Sequence, residues 1–497
     1  MTANPLVELA GDLRRAMTRI GYEPDTLLEV LGGPAHAALG RSEPVPARRA
    51  ARAAGAVGVP IRLFLLGDAR PERDVAAALA PLDVDRAVRA GLLERSGTEI
   101  RAGLDLRPLD TGSGTRWILS DLDDQVRPRA LERDHVLGVG EASLSLLRAS
   151  PTEPVDTVLD LGTGCGVQAV HAAAHARRVT GTDVNPRALM LATATAALNE
   201  TDLELLAGSW FDPVAGRRFD RVVANPPFVV GPGSVEHTYR DSGLALDGAS
   251  ALVVGTAPSV LAPDGTAALL ASWLHVAGAD WRQRVAGWLP AEGVDAWVVQ
   301  RDVADPALYV GTWLRDAGYD PRDPNNQRRA EAWLDAFAAA DVDGVGFGFV
   351  YLRAIDGPTE VLTEELRHEF TDPLGAEVAG YFDRSRWLRS ATDDIFAASR
   401  FALAPDAVLE RVYRPGNEGW AEAVTRLHRG SGPRWQHEID ETLAALVAGM
   451  RPDGLTLHEL LELLAVAQTG TSPTAGFVAD AVDVVRALTR HGLVLPG

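Results

Sequence analysis

The feature that most constrains the fold of this chain is a glycine-rich turn between an apolar strand and a helix, residues 158–167 (VLDLGTGCGV). Glycine adopts positive φ at little cost and lets a ligand approach the backbone closely. After this turn, segments that predict strands alternate with segments that predict helices, which is typical of a parallel sheet covered by helices. The predicted strands are 157–161, 178–182, 221–224, 266–272, 294–300 and 344–353. We therefore expect a Rossmann-like α/β domain with the turn at the carboxyl edge of its sheet, where such folds bind nucleotide-like ligands.

An acidic residue stands at the end of the second predicted strand. Asp183 closes the segment VTGTD, 17 residues after Gly166. A carboxylate at this place can accept hydrogen bonds from both hydroxyls of a ribose. The alternative role is a helix N-cap ahead of Pro186. Both roles can coexist, because Asn185 is nearer to the cap position.

The tetrapeptide Asn-Pro-Pro-Phe at 225–228 follows the predicted strand 221–224. Its two prolines have a fixed φ and no N–H, so backbone carbonyls point into the site without competing donors. The side-chain oxygen of Asn225 and the carbonyl of Pro226 can then accept both hydrogens of an NH2 group. The aromatic ring of Phe228 can stack on a flat amide or base. Such a clamp directs the nitrogen lone pair at an activated methyl group, and positioning supplies most of the rate without a strong base or a metal.

A resemblance to a known family follows from these segments together. Residues 155–300 resemble the class I S-adenosylmethionine-dependent methyltransferases with an Asn-Pro-Pro-aromatic motif, such as release-factor glutamine methyltransferases and RNA base amino-methyltransferases. Supporting similarities lie at 197–199, 208–213, 246–248 and 261–265. The resemblance implies a seven-stranded class I methyltransferase sheet, S-adenosyl-L-methionine as the cofactor and methyl transfer as the reaction. The flanking segments resemble an arrangement seen in actinobacterial proteins.

The resemblance also implies roles for individual residues. Asp160 and the glycines of the turn would hold the methionine part of the donor, Asp183 its ribose, and Ser209 with Trp210 its adenine. The predicted cofactor-binding set is Asp160, Gly162, Thr163, Gly164, Gly166, Asp183, Val184, Ser209, Trp210 and Asn225. The predicted catalytic set is Asn225, Pro226, Pro227 and Phe228, and the predicted substrate-binding set is Phe228, Tyr239, Arg240 and Asp241.

Two segments depart from the family pattern. Ser209 stands where the family usually has an acidic residue for the adenine amine, so this contact is weaker or passes to a backbone group. Residues 135–143 occupy the place of the family's loop that covers the donor, but they lack its proline-rich sequence. The adenine contact and the cover of the donor are therefore the two features that the resemblance leaves in doubt.

Composition narrows the classes of protein further. The formal charge of −20 argues against a surface that is basic everywhere, which sequence-independent binding of nucleic acid would require. All 48 basic residues are arginine, which excludes lysine chemistry such as a Schiff base. The single cysteine, Cys165, excludes an intrachain disulfide, and we interpret it as a small side chain that fills space in the turn. We predict no metal site, because the histidines lack ligand spacing.

The sequence also bears on compartment and assembly. No apolar run approaches the roughly 20 residues of a membrane span. The first residues lack the charged and apolar regions of a secretory signal. We therefore expect a cytoplasmic protein without membrane contact. The pattern does not indicate an oligomeric state.

We expect three regions along the chain. Residues 1–125 predict helices followed by a small β element, at 9–20, 75–90 and 92–106, which is typical of a winged-helix-like module. The methyltransferase-like region is 126–356, with a core at 155–300 and an insertion at 302–341. Residues 357–497 predict a mainly helical domain that ends in a similar module, with helices at 456–465 and 477–490 and a strand at 492–495. Packing or oligomerisation is the favoured role of these modules, because Asp480 and Asp483 on the last helix would face phosphates.

Three acceptors of the methyl group stay open. The first is a protein glutamine or asparagine side chain, with the segment 239–241 binding the peptide backbone. The second, ranked nearly level, is an exocyclic amine of an RNA base, suggested by mixtures of arginine and tryptophan that can bind single strands. The arginine-bearing segments are Arg41, Arg48, Arg49, Arg52, 384–387 and 434–435. A small metabolite amine ranks third, and a donor-binding regulator without catalysis is disfavoured by the intact motif at 225–228.

Overall fold

The computed structural model describes residues 4–41, 43–122, 132–233, 241–366, 370, 373–417 and 419–497. The chain forms two compact units. The first combines residues 1–147 with 152–365, and the second combines 148–151 with 366–497. Within the described ranges, no helix is both long enough and apolar enough to cross a membrane.

The N-terminal region contains short helices and two antiparallel β elements. The helices are α1 (Pro5–Ile20), α2 (Pro24–Gly40), α3 (Pro44–Ala51), α4 (Gly58–Pro60), α5 (Glu72–Leu79) and α6 (Val84–Arg89), with a π-helical segment at Ile61–Leu65. The strands are β1 (Arg70–Pro71), β2 (Leu93–Ser96), β3 (Glu99–Ala102), β4 (Asp105–Asp110) and β5 (Thr115–Ser120). The first three strands form a small sheet, and the other two form a hairpin.

Local sequence explains where these helices begin and end. The side chain of Asn4 accepts a hydrogen bond from the Leu6 amide at 3.1 Å and caps α1. The helix predicted at 75–90 is two helices in the structure, because Pro81 lies between them and offers no N–H for a continuous helix. Asp83 starts the second of them by accepting from the amide of Arg86 at 2.7 Å. The strand pair predicted after this helix is present as β2 and β3.

The middle of the chain builds one large sheet with helices against it. Its strands are β6 (Val155–Leu161), β7 (Ala176–Asp183), β8 (Glu204–Ala207), β9 (Phe219–Ala224), β10 (Leu261–Val276), β11 (Glu292–Ala304), β12 (Val342–Pro358) and β13 (Glu360–Glu365). Its helices are α7 (Glu141–Ala149), α8 (Val167–Ala172), α9 (Pro186–Leu198), α10 (Gly248–Thr256), α11 (Trp281–Ala286), α12 (Pro306–Asp316) and α13 (Pro324–Ala339).

The strand order of this sheet is β13-β11-β12-β10-β9-β6-β7-β8. The strands from β10 to β8 in that order are parallel, and β12 runs antiparallel to both of its neighbours. Strand β6 pairs with β7 on one side and with β9 on the other, so the winding direction of the sheet reverses here. Ligands of open α/β sheets bind at such a switch point, beyond the carboxyl ends of the strands. The glycine turn follows β6 and residues 225–228 follow β9, so both lie at this crevice.

All six predicted strands are present, but in the part of the chain that the structure describes the sheet has eight strands, not the seven expected. Strand β13 adds a parallel partner beside β11. Its sequence, EVLTEE, contains three glutamates and lacks the apolar pattern of a buried strand. The tertiary structure accommodates this polar strand at the edge of the sheet, where the indole of Trp297 donates to Glu364 at 2.6 Å.

Helix α9 joins the N-terminal region to the sheet. The side chain of Asn199 accepts from the backbone amide of Trp117 at 2.9 Å and donates to its carbonyl at 2.8 Å. The hydroxyl of Thr195 accepts from the amide of Leu119 at 3.2 Å. These side chains satisfy backbone groups of β5 that a further strand would otherwise satisfy. Leu13 of α1 and Leu191 of α9 belong to the same apolar core, so the N-terminal region and the sheet share one core.

The second unit combines helices with two small sheets. Its helices are α14 (Gly375–Ser390), α15 (Asp393–Ala398), α16 (Glu441–Gly449), α17 (Leu457–Thr469) and α18 (Ala475–Arg490). Its strands are β14 (Phe401–Leu403), β15 (Ala407–Gly416), β16 (Gly419–Arg429), β17 (Gln436–Glu438) and β18 (Val494–Pro496). Strand β14 pairs with β18, and the other three form an antiparallel sheet.

The predicted helices of this unit are present as α17 and α18, and the predicted last strand as β18. Helix α17 begins with a capping box, in which Thr456 and Glu459 each accept from the other's backbone amide. The antiparallel sheet was not predicted, and here the expectation of a mainly helical region is incomplete. Most side chains of the hairpin β15–β16 are exposed, so its sequence lacks the apolar alternation by which a half-buried strand is recognised.

Candidate active site

The carboxyl edge of the sheet encloses a cavity of about 690 Å³ at the switch point. A volume of this size is typical of a site for a cofactor or another small molecule. The structure brings most of the predicted site residues to its wall. They are Asp160, Gly162, Thr163, Gly164, Asp183, Val184, Ser209, Trp210, Asn225, Pro226, Pro227 and Asp241.

Two predicted residues lie off this wall. Gly166 has φ +86°, and a Cβ there would lie 3.3 Å from the Cα of Ala192, so this glycine allows α8 to pack closely on α9. Phe228 is buried, and its ring packs against Phe347 with centroids 5.3 Å apart. The aromatic ring of the motif is thus packed inside the protein. The sequence had led us to expect that it stacks on the substrate. Tyr239 and Arg240 lie outside the described residues.

Asp160 is buried at the end of β6 and shapes the turn that follows. Its Oδ2 accepts from the hydroxyl of Thr163 at 2.6 Å and from the amide of Ala169 at 3.0 Å. Burial raises the pKa of Asp160 to about 7, the two hydrogen bonds oppose this rise, and the charge of Asp183 adds to it. The carboxyl group is therefore poised to ionise when a cation enters the cavity.

Asp183 spans the ends of two elements with its carboxylate. One oxygen accepts from the amide of Gly164 at 2.9 Å, and the other accepts from the amide of Asn185 at 2.8 Å. The amide of Val184 also donates to this carboxylate. Two carboxylate oxygens have about four acceptor sites together, so capacity remains for a ligand hydroxyl. Burial raises the pKa of Asp183, and the backbone hydrogen bonds lower it in part. The N-cap role falls to Asn185, whose side chain accepts from the amide of Arg187 at 2.9 Å.

The part of the cavity wall formed by Val184, Gly208 and Trp210 is largely apolar, and the backbone turns tightly there. Val184 lines the cavity although 59% of its surface is exposed, which leaves a flat apolar face for a ring. Trp210 reaches the same wall with φ +48°, an unusual backbone conformation for an aromatic residue. Gly208 lets the chain turn here, because a Cβ at this position would lie 2.5 Å from the ring of Pro213.

Asn225 lines the cavity directly after the end of β9. Its side-chain nitrogen donates to the hydroxyl of Ser143 at 3.3 Å. The planar amide then turns its oxygen to the opposite side. Ser143 is itself held, because the side chain of Gln168 donates to its backbone carbonyl at 2.7 Å. The orientation of Asn225 is therefore set by a residue 82 positions earlier in the chain.

Residues before α7 and in its first turn form another wall of the cavity. None of them is in the predicted sets of site residues. These residues are Arg133, Asp134, His135, Val136, Leu137, Gly138, Gly140, Ala142 and Ser143. The resemblance had indicated a covering loop at 135–143 but assigned no residue in it. Asn185, Gln168 and Ser242 also line the cavity, and no sequence motif marks them.

Two hydrogen-bonding groups hold this segment against α9. Asp121 accepts from the amide of Val136 at 2.9 Å and from the guanidinium of Arg187 at 2.8 Å. Burial would raise the pKa of Asp121, but the hydrogen bonds from Arg187 and Val136 keep it below its usual value. The side chain of Asn185 donates to the carbonyl of Asp134 at 2.8 Å. These hydrogen bonds thus hold the wall segment against the start of α9, the helix that follows Asp183.

The insertion between β11 and β12 contacts the chain directly after the motif. The hydroxyl of Tyr309 accepts from the amide of Val230 at 2.8 Å, and the indole of Trp333 donates to the carbonyl of Val230 at 2.9 Å. A second pocket, of about 160 Å³, lies between this stretch and α13. Asp241 and Ser242 line both the pocket and the large cavity, so the insertion extends the site on the side of Asn225.

Cys165 is buried in the glycine turn, and burial raises the pKa of its thiol to about 12. A thiol with such a pKa is not a nucleophile at neutral pH. Its side chain belongs to the core shared with the N-terminal region. The space-filling role predicted for this residue agrees with that position.

Comparison with known families matches the region of the cavity. Residues 137–266 match the family described as methyltransferase small domain. Residues 19–103 and 379–496 match two further families, each described as a domain of unknown function. The large sheet and the first of these matches together define the middle of the chain as an α/β methyltransferase fold.

Individual relatives agree with this class. The chain is 36% identical over 124 residues to the release factor glutamine methyltransferase of Geobacter sulfurreducens, covering 22% of this chain and 42% of that protein. It is 31% identical over 176 residues to the ribosomal RNA small subunit methyltransferase C of Erwinia tasmaniensis, covering 33% of this chain and 48% of that protein. The chain therefore spans less than half the length of these curated relatives.

Among solved structures, the chain is similar to a SAM-dependent methyltransferase from Thiobacillus denitrificans in complex with S-adenosyl-L-homocysteine. The two are 15% identical, with a TM-score of 0.23, over 46% of this chain and 95% of that one.

Proposed function

We propose that this protein is an S-adenosylmethionine-dependent methyltransferase that methylates a planar amide or amino nitrogen. The observation that supports this most strongly is the placement of Asp160, Asp183 and Asn225 on one cavity at the switch point of the sheet. The first two suit the charged and hydroxyl groups of the donor, and the third suits an NH2 acceptor.

The residues of the cavity fit the donor group by group. The carboxylate of Asp183 lines the cavity and suits the hydroxyls of the ribose. Asp160 faces the ammonium of the methionine part, and the exposed face of Val184 with Trp210 suits the adenine ring. Gly162 has φ +72° and presents backbone to the ligand without a side chain in the way. When bound, the donor supplies an already activated methyl group.

The acceptor side of the site positions the nitrogen. With its amide nitrogen committed to Ser143, Asn225 presents its oxygen to one hydrogen of the NH2 group, and the Pro226 carbonyl accepts the other. These two contacts hold the nitrogen in line with the methyl group, which is worth orders of magnitude in rate without proton transfer by a strong base. Phe228 supports the motif from beneath through its contact with Phe347.

We favour a protein amide side chain as the acceptor. Several arginines that suggested RNA are paired: Arg41 contacts Glu43 at 2.9 Å, and Arg48 contacts Asp68 at 2.8 Å. Arg384 pairs with Glu377 at 2.5 Å. Such pairs leave less positive charge for phosphates.

The aromatic rings in the same segments are covered as well. Trp387 packs against Phe396 and Phe401, with ring centroids 5.5 and 5.8 Å apart, and Trp435 is 8% exposed. Stacking of bases needs accessible rings. Arg49 and Arg52 remain exposed on the N-terminal region, so an RNA base amine stays the second candidate.

One experiment separates these acceptors. Purified protein is incubated with methyl-labelled S-adenosylmethionine and a lysate from cells that lack this gene, with the Asn225→Ala variant as the background. Label that only protease releases supports the protein acceptor, and label that only ribonuclease releases transfers the proposal to an RNA base. Label in neither polymer indicates a small metabolite. Incorporation no higher than the Asn225→Ala background would contradict methyl transfer altogether.

We further propose that residues 1–125 and 357–497 flank the methyltransferase region 126–356 as functional regions, with winged-helix-like ends that pack or assemble. The order of helix α6 and hairpin β2–β3 supports this for the first region, and α18 followed by β18 supports it for the last. Removal of residues 366–497, the continuous segment of the second unit, should then leave donor binding by calorimetry unchanged.

A further inference from the structure

The hairpin β15–β16 carries an unusual amount of exposed apolar surface. Its residues 408–417 and 419–423 are all exposed, so both faces of this part of the hairpin are open to solvent. The large apolar side chains there are Val408, Leu409, Val412, Tyr413 and Trp420, with exposed fractions of 43%, 47%, 36%, 47% and 74%. We call residues 407–429 the arm. A two-stranded hairpin with both faces in water is marginally stable by itself, so a partner surface would stabilise it.

Strand β15 also has an open backbone edge. The sheet order is β15-β16-β17, so among the described residues β15 pairs with β16 on one side and has no partner strand on the other. Six non-proline residues, 409–414, precede Pro415 on this edge, and the pairing with β16 shifts register between Val412 and Tyr413. Open edges of this length are templates for the addition of another strand. The partner that fits best is therefore one that contributes a strand.

The charges along β15 are complementary to their own reverse order. Glu410 and Arg414 stand two residues before and two residues after Val412, and alternation places all three side chains on one face. If two copies of β15 pair antiparallel with Val412 opposite Val412, each Glu410 lies opposite Arg414 of the other copy. In the same register Arg411 lies opposite Tyr413, a favourable pairing of a cation and an aromatic ring.

The balance of charge argues against a polyanionic partner. The described, exposed part of the arm carries Glu410 and Glu422 against Arg411 and Arg414. Arg411 already faces Glu422 at 3.7 Å, and Glu410 faces Arg426 at 3.6 Å. Binding to nucleic acid requires an excess of cations, which this surface lacks. A neutral, apolar and self-complementary strand instead matches a second copy of itself.

We propose that this protein forms a two-fold symmetric dimer in which the β15 strands of two copies pair antiparallel around Val412. The two arms then form one continuous sheet, which covers both open edges. The dimer does not depend on the proposed methyltransferase activity, because no residue of the arm lines the cavity described above.

A charge exchange tests the register. The full-length protein is measured by sedimentation velocity at several concentrations, beside the variants Glu410→Arg, Arg414→Glu and the double exchange Glu410→Arg/Arg414→Glu. The wild type should be a dimer, and each single exchange should weaken dimerisation at least tenfold, because like charges then face each other. The double exchange should restore the dimer. A control exchange away from the arm, Asp453→Arg at an exposed position between α16 and α17, should leave the dimer unchanged.

A cysteine at the two-fold axis provides an independent measurement. The chain has one cysteine, Cys165, and it is buried, so Val412→Cys introduces a single accessible thiol. Residues directly opposite in an antiparallel pair have Cα atoms about 4.5–5.5 Å apart, within the range of a disulfide. Mild oxidation should link this variant into a covalent dimer, whereas Glu438→Cys should stay monomeric on a denaturing gel. A monomeric wild type, a double exchange that fails to restore the dimer, or equal linking of both cysteine variants would overturn the proposal.

Discussion

The side-chain amide of Asn225 donates to the hydroxyl of Ser143 at 3.3 Å, and this contact orients the amide that we propose holds the acceptor nitrogen. Ser143 belongs to α7, and the side chain of Gln168 at the start of α8 holds its carbonyl at 2.7 Å. The orientation of the Asn225 side chain, which follows β9, is thus set by α7, the helix that precedes β6. A change in either partner should affect turnover more than donor binding.

For the clamp itself, we expect Asn225→Ala to leave donor affinity nearly unchanged and to lower the single-turnover rate about 100-fold, the scale of a lost positioning contact. Ser143→Ala should lower this rate about tenfold, because the amide remains but loses its orientation. Ser143→Thr keeps a hydroxyl and should retain most activity. Calorimetry with S-adenosylhomocysteine and single-turnover assays make the comparison. Loss of donor affinity in Asn225→Ala at an unchanged rate would refute the role of the clamp.

Asp183 is the carboxylate that we propose binds the ribose. The effects of Asp183→Ala on donor affinity and rate should be the opposite of those of Asn225→Ala. The carboxylate proposed to accept from the ribose disappears, so the affinity for S-adenosylhomocysteine should fall by at least tenfold, while the rate at saturating donor should change much less. Ser242→Ala is the control on the same cavity, because Ser242 lies in its wall and is in none of the predicted donor-binding sets. If calorimetry gives equal affinities for both variants, Asp183 does not bind the ribose.

The raised pKa of Asp160 predicts a pH dependence. Burial holds this pKa at about 7, against 3.8 for an ordinary aspartate. Between these two values the folded state keeps a proton that the unfolded state releases, so the free energy of unfolding should fall as the pH rises from about 4 to about 7. The ionised form is the one that pairs with the donor ammonium, so donor affinity should rise as the pH passes 7.

Asp160→Asn is the control for both effects. The asparagine cannot ionise, so the wild type and the variant should differ in the slope of stability against pH between about 4 and 7. Donor affinity of the variant should be lower and should lack the rise near pH 7. Thermal denaturation across this range and calorimetry at pH 6 and 8 provide the data. Parallel stability curves would show that Asp160 is already ionised in the folded protein.

Two glycines of the turn should respond differently to the same substitution. Gly166→Ala should destabilise the fold by more than the ~1–2 kcal/mol of a positive φ, because the new Cβ meets Ala192 at 3.3 Å. Its donor affinity should stay within about twofold of wild type. Gly162→Ala, with φ +72°, should instead weaken donor binding, because the methyl group is added at the cavity wall.

The control for this pair is Gly216→Ala. Its φ is +78°, and a Cβ there has no described atom within 4 Å, so it measures the backbone cost alone. Midpoints of thermal unfolding and calorimetric affinities for the three variants separate packing from ligand contact. Equal unfolding midpoints for Gly166→Ala and Gly216→Ala would show that α8 and α9 adjust to the extra methyl group.

The sequence by itself determined the elements that depend on local pattern. Six strands, the glycine turn, the acid at Asp183 and the motif at 225–228 were all recognisable, because buried parallel strands are continuous apolar runs and a turn with positive φ requires glycine. Parallel strands also end at one edge of their sheet, so residues from three separate segments were expected near one another. The cavity brings Asp160, Asp183 and Asn225 together in that way.

Only the tertiary structure decided what depends on contacts between distant segments. The polar strand β13 and the exposed arm have no apolar period, so they are stable only beside their neighbours. Phe228 is suited in sequence to stacking on a substrate, yet Phe347 from β12 takes its ring into the core. Arg48 is suited to a phosphate, yet Asp68 neutralises it. Burial and ion pairing depend on which residues of distant segments pack around a side chain. The order of residues in the sequence does not specify those partners.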